Sequence, residues 1–191
     1  TDSAVNLGGG TGIGTLTVGA SGGTYTNGVH LKNATGRLNF NSGRLVAGAA
    51  GALVSGAGQI QLNGPAYIST DFTNSIDTVI DGTGRLTMEG VGMLTLTATN
   101  TYAGDTIVTN GTLRLTHDKC LSANTTVRIW SPATIDLAFT GANTINALYV
   151  DGILMDRGDW GHRRLPTRLT GDGYLRTRSG GDPQGAILII R

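Results

Sequence analysis

One short phrase recurs along this chain of 191 residues: a glycine, then leucine two positions later, then another apolar residue two positions after that. Three copies lie close together, Gly84-Arg-Leu86-Thr-Met88, Gly92-Met-Leu94-Thr-Leu96 and Gly111-Thr-Leu113-Arg-Leu115. The glycine allows the backbone to turn, and the strict alternation after it places both apolar side chains on one face of a strand. The phrase therefore predicts short strands with one buried side.

Further copies begin at Gly14, Gly36 and Gly43, and close variants begin at Gly51, where only the leucine is kept, and at Gly58, where isoleucine replaces leucine. The spacing is 22 residues from Gly14 to Gly36 and again from Gly36 to Gly58, which we interpret as a repeat period. A period near 20 that carries a short strand is typical of a solenoid, in which each coil buries its apolar face against its neighbours. Leucine-rich repeats share this period, but their longer Leu/Asn pattern and their helical periodicity are missing here.

Composition supports an all-β chain of short strands and tight turns. The 31 glycines show no Gly-x-y period, which excludes collagen, and a hydrophobic content of 39% excludes a disordered tail. Charged residues are few, and 14 Lys and Arg against 13 Asp and Glu leave a net charge of +1. That balance gives no electrostatic support for nucleic acid as a partner.

Cysteine content and hydropathy restrict the chain further. Because Cys120 is the single cysteine, an internal disulfide and a cysteine-based zinc site are both excluded. No apolar run approaches the roughly 18–20 residues of a membrane span, so we expect no membrane insertion by this segment. The chain starts at Thr1 without a signal-peptide pattern, and we expect a processed product or an excised segment whose targeting signal lies elsewhere.

A resemblance to a known family becomes specific over residues 84–147. It rests on Gly90-Val-Gly-Met-Leu-Thr-Leu-Thr97, Asn100-Thr-Tyr102-Ala-Gly104-Asp-Thr106-Ile-Val108 and Asn110-Gly-Thr-Leu-Arg-Leu115. This stretch resembles the autotransporter-associated β-strand repeat of bacterial surface passenger domains. The resemblance implies a right-handed parallel β-helix, secreted or exposed on a bacterial surface, and it brings no catalytic residues with it.

We predict one β-solenoid domain over residues 1–191, with a C-terminal strand or hairpin cap. Its parts are N-terminal coils at 1–83, autotransporter-type coils at 84–147, and a cap with a terminal strand at 148–191. Within the last part, Gly158-Asp-Trp-Gly161 and Leu169-Thr-Gly-Asp-Gly-Tyr-Leu175 resemble the tail that often ends such repeats. A cap is expected because the open end of a solenoid exposes strand edges.

The densest charge in the chain lies in this predicted cap, beside several aromatic residues. Arginine can grip acidic polysaccharide or phosphate, and aromatic faces suit sugar rings. We take as ligand-binding candidates, for a glycan or an anion, Trp130, Tyr149, Trp160, Arg157, His162, Arg163, Arg164 and Arg168. The alternative is a solvated loop with internal Arg–Asp pairs and aromatic rings that pack as lids over the last coils.

No catalytic, metal or cofactor site emerges from the sequence. A β-helix enzyme that cleaves polysaccharides needs several acidic side chains close together on one face, and the candidates here are Asp71, Asp77 and Asp81. Each of the three lies among Asn, Thr and Gly residues typical of a turn, where an aspartate side chain hydrogen-bonds to its own backbone. His30 and His117 share no ligand spacing with each other or with His162.

The sequence therefore predicts a non-catalytic, extracellular or cell-surface scaffold or adhesin, with extracellular glycans as possible partners. The alternative is a polysaccharide-binding or polysaccharide-cleaving β-helix module. End-to-end self-association into a filament is a further expectation, since the glycine-rich residues 1–23 and an apolar terminal strand both look unfinished. The terminal strand comprises Ala186, Ile187, Leu188, Ile189 and Ile190.

Overall fold

A computed structural model describes residues 4–7, 14–18 and 28–180 of the chain. The described residues contain no helix; about 51% of the structure is strand, stacked as a β-solenoid of about six turns. The prediction of an all-β parallel solenoid is confirmed.

The strands are short and follow one another closely. The N-terminal ones are β1 (Ala4–Leu7), β2 (Gly14–Val18), β3 (Val29–Leu31), β4 (Arg37–Phe40), β5 (Gly43–Ala47), β6 (Gly51–Gly56), β7 (Gln59–Leu62), β8 (Ala66–Ser69), β9 (Thr73–Ile76), β10 (Val79–Gly82) and β11 (Leu86–Glu89). The C-terminal ones are β12 (Met93–Leu96), β13 (Thr106–Val108), β14 (Thr112–Leu115), β15 (Thr126–Ile129), β16 (Thr134–Leu137), β17 (Ala142–Ile145), β18 (Ala147–Val150), β19 (Ile153–Leu154), β20 (Asp159–Gly161), β21 (Leu169–Gly171) and β22 (Tyr174–Thr177).

These strands build three faces of the solenoid, and each coil contributes one segment to each face. Face 1 begins as the sheet β1-β4-β7-β10 and ends as the sheet β17-β22-β20. Face 2 has the order β2-β5-β8-β11-β13-β15-β18-β19, and face 3 has the order β3-β6-β9-β12-β14-β16-β21. Pairing is parallel throughout except at β18–β19 and β20–β22, which are antiparallel.

Aliphatic ladders run along the inside of each face because equivalent residues of successive coils lie in register. Face 2 stacks the buried side chains of Leu45, Ile68, Met88, Val108 and Ile129. Face 3 stacks Val54, Ile76, Leu96, Leu115 and Leu137, and all five are likewise buried. One continuous core of this kind is what the alternating pattern of the phrase predicts.

Glycine at the corners permits the close approach of successive coils. A Cβ at Gly92 would lie 2.1 Å from the carbonyl oxygen of Phe72, and one at Gly84 would lie 2.1 Å from that of Gly64. Real Cβ atoms do not come so close to a backbone oxygen, so any larger residue at Gly92 would push the coils apart.

The repeat register differs from the prediction in one respect. Gly36 and Gly58 are one coil apart, since Arg37 of β4 pairs with Gln59 of β7. Gly14, however, lies on face 2 and pairs with Gly43, so the first 22-residue spacing is not a coil. The Gly-x-Leu-x-apolar phrase can stand at the start of a strand on any face, because each corner needs a tight turn and each strand after it needs alternating apolar and polar residues. It therefore recurs more than once within a coil.

Face 1 is interrupted between β10 and β17, and buried asparagines replace its missing backbone ladder. Asn100 accepts a hydrogen bond from the Ile80 amide at 2.8 Å and donates to the carbonyl of Cys120 at 2.7 Å. One coil further on, Asn143 accepts from the Leu121 amide and donates to the Leu121 carbonyl, both at 2.9 Å. These amides pair main-chain groups that would otherwise be buried and unsatisfied.

Tyr102 fills the core beneath this interruption and is fully buried. Its hydroxyl lies 2.5 Å from Thr106 Oγ1, which in turn lies 3.2 Å from Thr125 Oγ1. Burial raises the pKa of Tyr102 above its ordinary value of 10.0, since the phenolate would lose its solvation. The Asn-x-Tyr element of the predicted repeat therefore has a structural role: Asn100 pairs buried main-chain groups, and Tyr102 fills the core beside them.

Candidate functional site

The chain leaves the coil path between β18 and β21, and this excursion forms most of the C-terminal cap. A turn at Asp151 (φ 49°) and Gly152 (φ 82°) reverses the chain into β19, which pairs antiparallel with β18. Further along, β20 pairs antiparallel with β22. Trp160 of β20 is 8% exposed and belongs to the hydrophobic core. The cap therefore packs onto the last coil, as the predicted cap requires.

Trp160 supports the cap more than it offers a free face. Its indole N–H donates to the carbonyl of Asp156 at 3.0 Å, and the guanidinium of Arg164 lies 4.0 Å from the ring centroid. A cation–π contact of this kind covers the face that a sugar ring would use. Trp160 therefore holds Arg164 in place at the rim of a cleft.

The larger cleft of the cap lies between the loop after β20 and the turn before β22, with a volume of about 410 Å³. Its charged and aromatic lining consists of Asp159, His162, Arg163, Arg164, Asp172 and Tyr174. Within the described residues, the side chains of Arg163 and Asp172 make no hydrogen bond or ion pair. His162 Nδ1 lies 3.1 Å from the carbonyl oxygen of Leu169, which orients its ring.

A second cleft of about 340 Å³ shares Asp159 with the first and is lined by Arg157, Arg176 and Arg178. Arg176 donates two hydrogen bonds to Asp159, at 2.7 and 2.9 Å. This fork holds the pKa of Asp159 below its ordinary value. Arg157 and Arg178 have no side-chain partner within the described part of the chain, so they add uncompensated positive charge.

Charge is therefore concentrated at this end of the solenoid. Residues 148–180 contain six arginines and four aspartates, a net charge of +2. Residues 28–147 contain seven basic and seven acidic side chains, so they are neutral overall. A rigid scaffold that presents unpaired guanidinium groups beside a tyrosine edge offers contacts suited to an anionic ligand with hydroxyl groups.

The other predicted ligand residues lie outside the two clefts. Trp130 is 43% exposed at the corner between faces 2 and 3, with its ring against Gly152. Tyr149 lies on the outside of face 2 beneath Arg128, whose guanidinium is 4.1 Å from the ring centroid. Arg168 is bound to Asp151 at 3.0 Å.

Asp151 connects the corner after β15 to Arg168 of the cap. It accepts hydrogen bonds from the Ser131 amide at 2.6 Å and from Arg168, and these bonds hold its pKa below the ordinary value.

Of the eight predicted ligand residues, the structure places four in the lining of the clefts, namely Arg157, His162, Arg163 and Arg164.

Sequence reasoning left Tyr174, Asp159 and Asp172 out of the chosen set. Asp159 and Tyr174 belong to the strand pair β20–β22, which joins residues that are about 15 apart in sequence. Only the two glycine-flanked phrases Gly158-Asp-Trp-Gly161 and Gly171-Asp-Gly-Tyr-Leu175 hint at this pairing, since such flanks favour a turn. The five predicted assembly residues, Ala186 to Ile190, lie outside the described residues.

The three aspartates required by the cleavage alternative do not converge. Asp71 lies at the corner between faces 2 and 3, Asp77 at the corner between faces 3 and 1, and Asp81 within β10. Each accepts a hydrogen bond from the residue 20 positions later: the Val91 amide, the Thr97 hydroxyl and the Thr101 hydroxyl, at 2.9–3.1 Å. They join each coil to the next, which is a structural role.

Histidine and cysteine residues are also dispersed. His30 lies 3.0 Å from Ser55 Oγ, and His117 Nε2 lies 3.1 Å from the carbonyl oxygen of Thr97. Cys120 is buried, and burial raises the pKa of its thiol. Among residues 4–7, 14–18 and 28–180, no group of three or more His, Cys, Asp or Glu side chains is placed to hold a metal ion.

A comparison with protein families bears on the coils between β11 and β14. Residues 86–115 match the family model of the passenger-associated-transport-repeat. The match begins at the first residue of β11 and ends at the last residue of β14, so its boundaries are those of strands. The resemblance to an autotransporter passenger repeat is confirmed on these residues, and it suggests a secreted or surface-exposed protein.

No curated protein and no solved structure shows a significant match to the chain. In the part of the chain that the structure describes, no helix is long and apolar enough to cross a membrane.

Proposed function

We propose that this chain is a non-catalytic module of a secreted or cell-surface passenger protein, serving as a rigid scaffold and adhesin. Its rigidity comes from ladders that hold every coil to the next, and the repeat match lies in the middle of these coils. A solenoid of this kind carries a binding surface away from the point of attachment. In this chain the cap is the part best suited to make the contact.

The observation that supports adhesion is the pair of cap clefts with three unpaired guanidinium groups, those of Arg157, Arg163 and Arg178. An unpaired arginine can bind without first breaking an ion pair, and its planar guanidinium can form forked hydrogen bonds to carboxylate or sulfate. Tyr174 adds an aromatic edge to the larger cleft, and the Asp172 carboxylate adds an acceptor for hydrogen bonds from the hydroxyl groups of a ligand. We propose an acidic polysaccharide as the ligand of the cap.

Binding of the purified chain to acidic and neutral polysaccharides tests this proposal. The acidic polymers should bind in a salt-sensitive manner, and the double substitution Arg157→Ala with Arg163→Ala should weaken binding at least about tenfold, as expected for two charge-assisted contacts. Lys32→Ala with Lys119→Ala is the matched control, because it likewise removes two exposed cations, but from the neutral coils. Equal loss in the control and in the cap variant would refute a cap site.

The alternative of polysaccharide cleavage is checked in the same mixtures. Cleavage requires at least two carboxylates directed at one bond, and Asp71, Asp77 and Asp81 are instead bonded to separate parts of the next coil. We expect no new chain ends after prolonged incubation. New reducing or unsaturated ends that disappear in a variant of any one aspartate would overturn the non-catalytic assignment.

Head-to-tail assembly would be a second form of the scaffold role. The cap places antiparallel strands at the C-terminal end of faces 1 and 2, so a second copy could not continue the parallel stacking there without displacing them. We therefore propose a monomeric module. Light scattering over a wide concentration range tests it, and growth of mass with concentration would favour the filament.

A further inference from the structure

The two clefts of the cap differ in charge. The smaller cleft, of about 340 Å³, has three arginines and one aspartate in its lining, which gives this lining a net charge of +2. The larger cleft, of about 410 Å³, has two arginines and two aspartates, so its lining is neutral when His162 is uncharged. An anion is therefore attracted more strongly to the smaller cleft than to the larger one.

The β20–β22 strand pair brings Arg157 and Arg178 together in the smaller cleft. The pairing of these strands extends to the Thr177 amide, which donates to the carbonyl of Gly158 at 2.9 Å. Arg157 and Arg178 are the next residue on each side of this bond, and both line the cleft. Thr177 is buried, and side chains alternate along a strand, so Arg178 lies on the outer side.

These two arginines have no carboxylate of their own. In the described part of the chain, neither side chain forms a hydrogen bond or an ion pair. The one carboxylate of the cleft, Asp159, already accepts two hydrogen bonds from Arg176, at 2.7 and 2.9 Å. Like charges that face each other on neighbouring strands destabilise a sheet. An anion held between Arg157 and Arg178 would neutralise this repulsion.

The larger cleft offers different chemistry. Arg164 donates to the carbonyl of Asp159 at 3.1 Å and covers the ring of Trp160, so it is used by the cap itself. The remaining Arg163 shares the cleft with the unpaired carboxylate of Asp172. A carboxylate repels an anionic group but accepts hydrogen bonds from hydroxyl groups. This cleft is therefore suited to an uncharged sugar.

We propose that the smaller cleft is the anion subsite of the cap, in which Arg157 and Arg178 together hold one anionic group, and that the larger cleft holds a neighbouring uncharged sugar of the same polysaccharide. The identity of the ligand rests on the proposed function, and the two subsites specify where its charge lies. Carboxylate, sulfate and phosphate groups share the required chemistry, since each accepts forked hydrogen bonds from arginine. Because Asp159 lines both clefts, the subsites are adjacent.

Titration of the full chain with inorganic sulfate tests the anion subsite alone. In nitrogen–proton NMR spectra, the Nε–Hε signals of Arg157 and Arg178 should shift along one saturable curve, whereas the signal of Arg163 should respond only as it does to sodium chloride of equal ionic strength. A parallel titration with acetate shows whether the subsite prefers a sulfate or a carboxylate group. Saturable shifts at Arg163, or equal shifts for all arginines, would overturn the anion subsite.

A matched pair of substitutions gives the affinity readout. Arg178→Gln removes the charge and keeps most of the side chain, and it should lower the affinity for sulfate at least about tenfold, as expected for the loss of a charge-assisted hydrogen bond. Arg163→Gln removes an equally unpaired arginine from the larger cleft and should change this affinity by less than about twofold. Equal losses in the two variants would contradict the assignment.

Thermal stability gives a readout that changes sign. Without sulfate and at low ionic strength, Arg178→Gln relieves the repulsion from Arg157 and should raise Tm by roughly 1–3 °C. At saturating sulfate the wild type should be the more stable protein, because it alone retains the complete subsite. A wild type that is more stable by the same margin in both conditions would refute the like-charge argument.

Polysaccharide binding tests the larger cleft. Hyaluronan carries a carboxylate on every second sugar and polygalacturonate on every sugar, so hyaluronan should bind more tightly. Asp172→Ala should weaken hyaluronan binding at least about threefold, because an acceptor for ligand hydroxyl groups is lost. Tighter binding by Asp172→Ala would place an anionic group in the larger cleft and overturn its assignment to an uncharged sugar.

The outcomes separate this inference from the proposed function. If neither polymer binds while sulfate still saturates Arg157 and Arg178, polysaccharide binding by the cap is refuted and the anion subsite stands. If a polymer binds but Arg178→Gln and Arg163→Gln weaken sulfate binding equally, polysaccharide binding stands and the division into subsites is refuted.

Discussion

The asparagine ladder of face 1 makes a quantitative prediction about what holds the interrupted face together. In Asn100→Ala, the Ile80 amide and the Cys120 carbonyl both lose their buried partner. Each buried group left unpaired costs about 1–3 kcal/mol, so the free energy of unfolding should fall by about 2–6 kcal/mol. For a chain of this length, Tm should fall by at least about 4 °C.

Asn63→Ala is the matched control, because Asn63 donates to the Asn41 side chain at 2.9 Å on the exposed surface. Its substitution should cost no more than about 0.5 kcal/mol. Asn100→Asp should be about as harmful as Asn100→Ala, since aspartate keeps an acceptor for Ile80 but cannot donate to Cys120 and buries a charge.

The assay combines urea unfolding with hydrogen exchange, because a solenoid can open locally before it unfolds as a whole. In Asn100→Ala, the Ile80 amide should lose its protection first, and amides of face 3 should remain protected. If Asn100→Ala is no more destabilising than Asn63→Ala, and Ile80 stays protected, then the asparagine amides do not replace the backbone ladder.

Three further predictions follow from the coil geometry and the shifted pKa values. Gly92→Ala should lower the free energy of unfolding by at least about 2 kcal/mol, because its Cβ would overlap the preceding coil. The control Val91→Ala should change the free energy of unfolding by no more than about 0.5 kcal/mol, and thermal unfolding of both variants tests the difference. Because burial raises the pKa of Tyr102, its stabilisation is complete below the ordinary value of 10.0 and is lost at higher pH. In urea titrations between about pH 9 and pH 11, stability should fall more steeply in the wild type than in Tyr102→Phe, which keeps only the slope due to the buried Cys120. The forked hydrogen bonds from Arg176 lower the pKa of Asp159, so this ion pair stabilises the cap above the ordinary value of 3.8, and the stabilisation is lost as the pH falls through the lower pKa of the folded state. Protection of the β20 amides from hydrogen exchange should weaken in that pH range in the wild type. The same pH dependence of protection in Asp159→Asn would contradict a role for this ion pair.

Much of the solenoid could be predicted from local pattern. Alternation after glycine identified β11, β12 and β14 and their inward-facing apolar residues, because side chains of a strand alternate between its two faces. Thr87 of β11 is also buried, which the alternation did not predict. The repeat register could not be read in the same way. Gly14 and Gly36 begin similar phrases on different faces, and nothing local distinguishes one corner from another.

The candidate site was predicted in part. A run of arginines between residues 157 and 178 indicated a cationic cap, and the structure places four of the eight chosen residues at its clefts. Trp160 is one of the four predicted residues that do not line the clefts. The sequence shows an aromatic residue between glycines, but only the packing of the cap determines that the Arg164 guanidinium covers its ring. Trp130 and Tyr149 are separated from the clefts because they lie beside the β18–β19 hairpin, whereas the clefts are lined by residues of the later part of the cap.

The sequence by itself determined the strand type, the inner face of most coil strands and the parallel stacking of the coils, because these depend on residue alternation and on glycine at tight corners. Only the tertiary structure decided which glycines lie above one another, how Asn100 and Asn143 replace a missing ladder, and which arginines remain unpaired. Those features depend on contacts between residues about 20 or more apart. Their partners are chosen by the stacking of whole coils, which no short window of sequence contains.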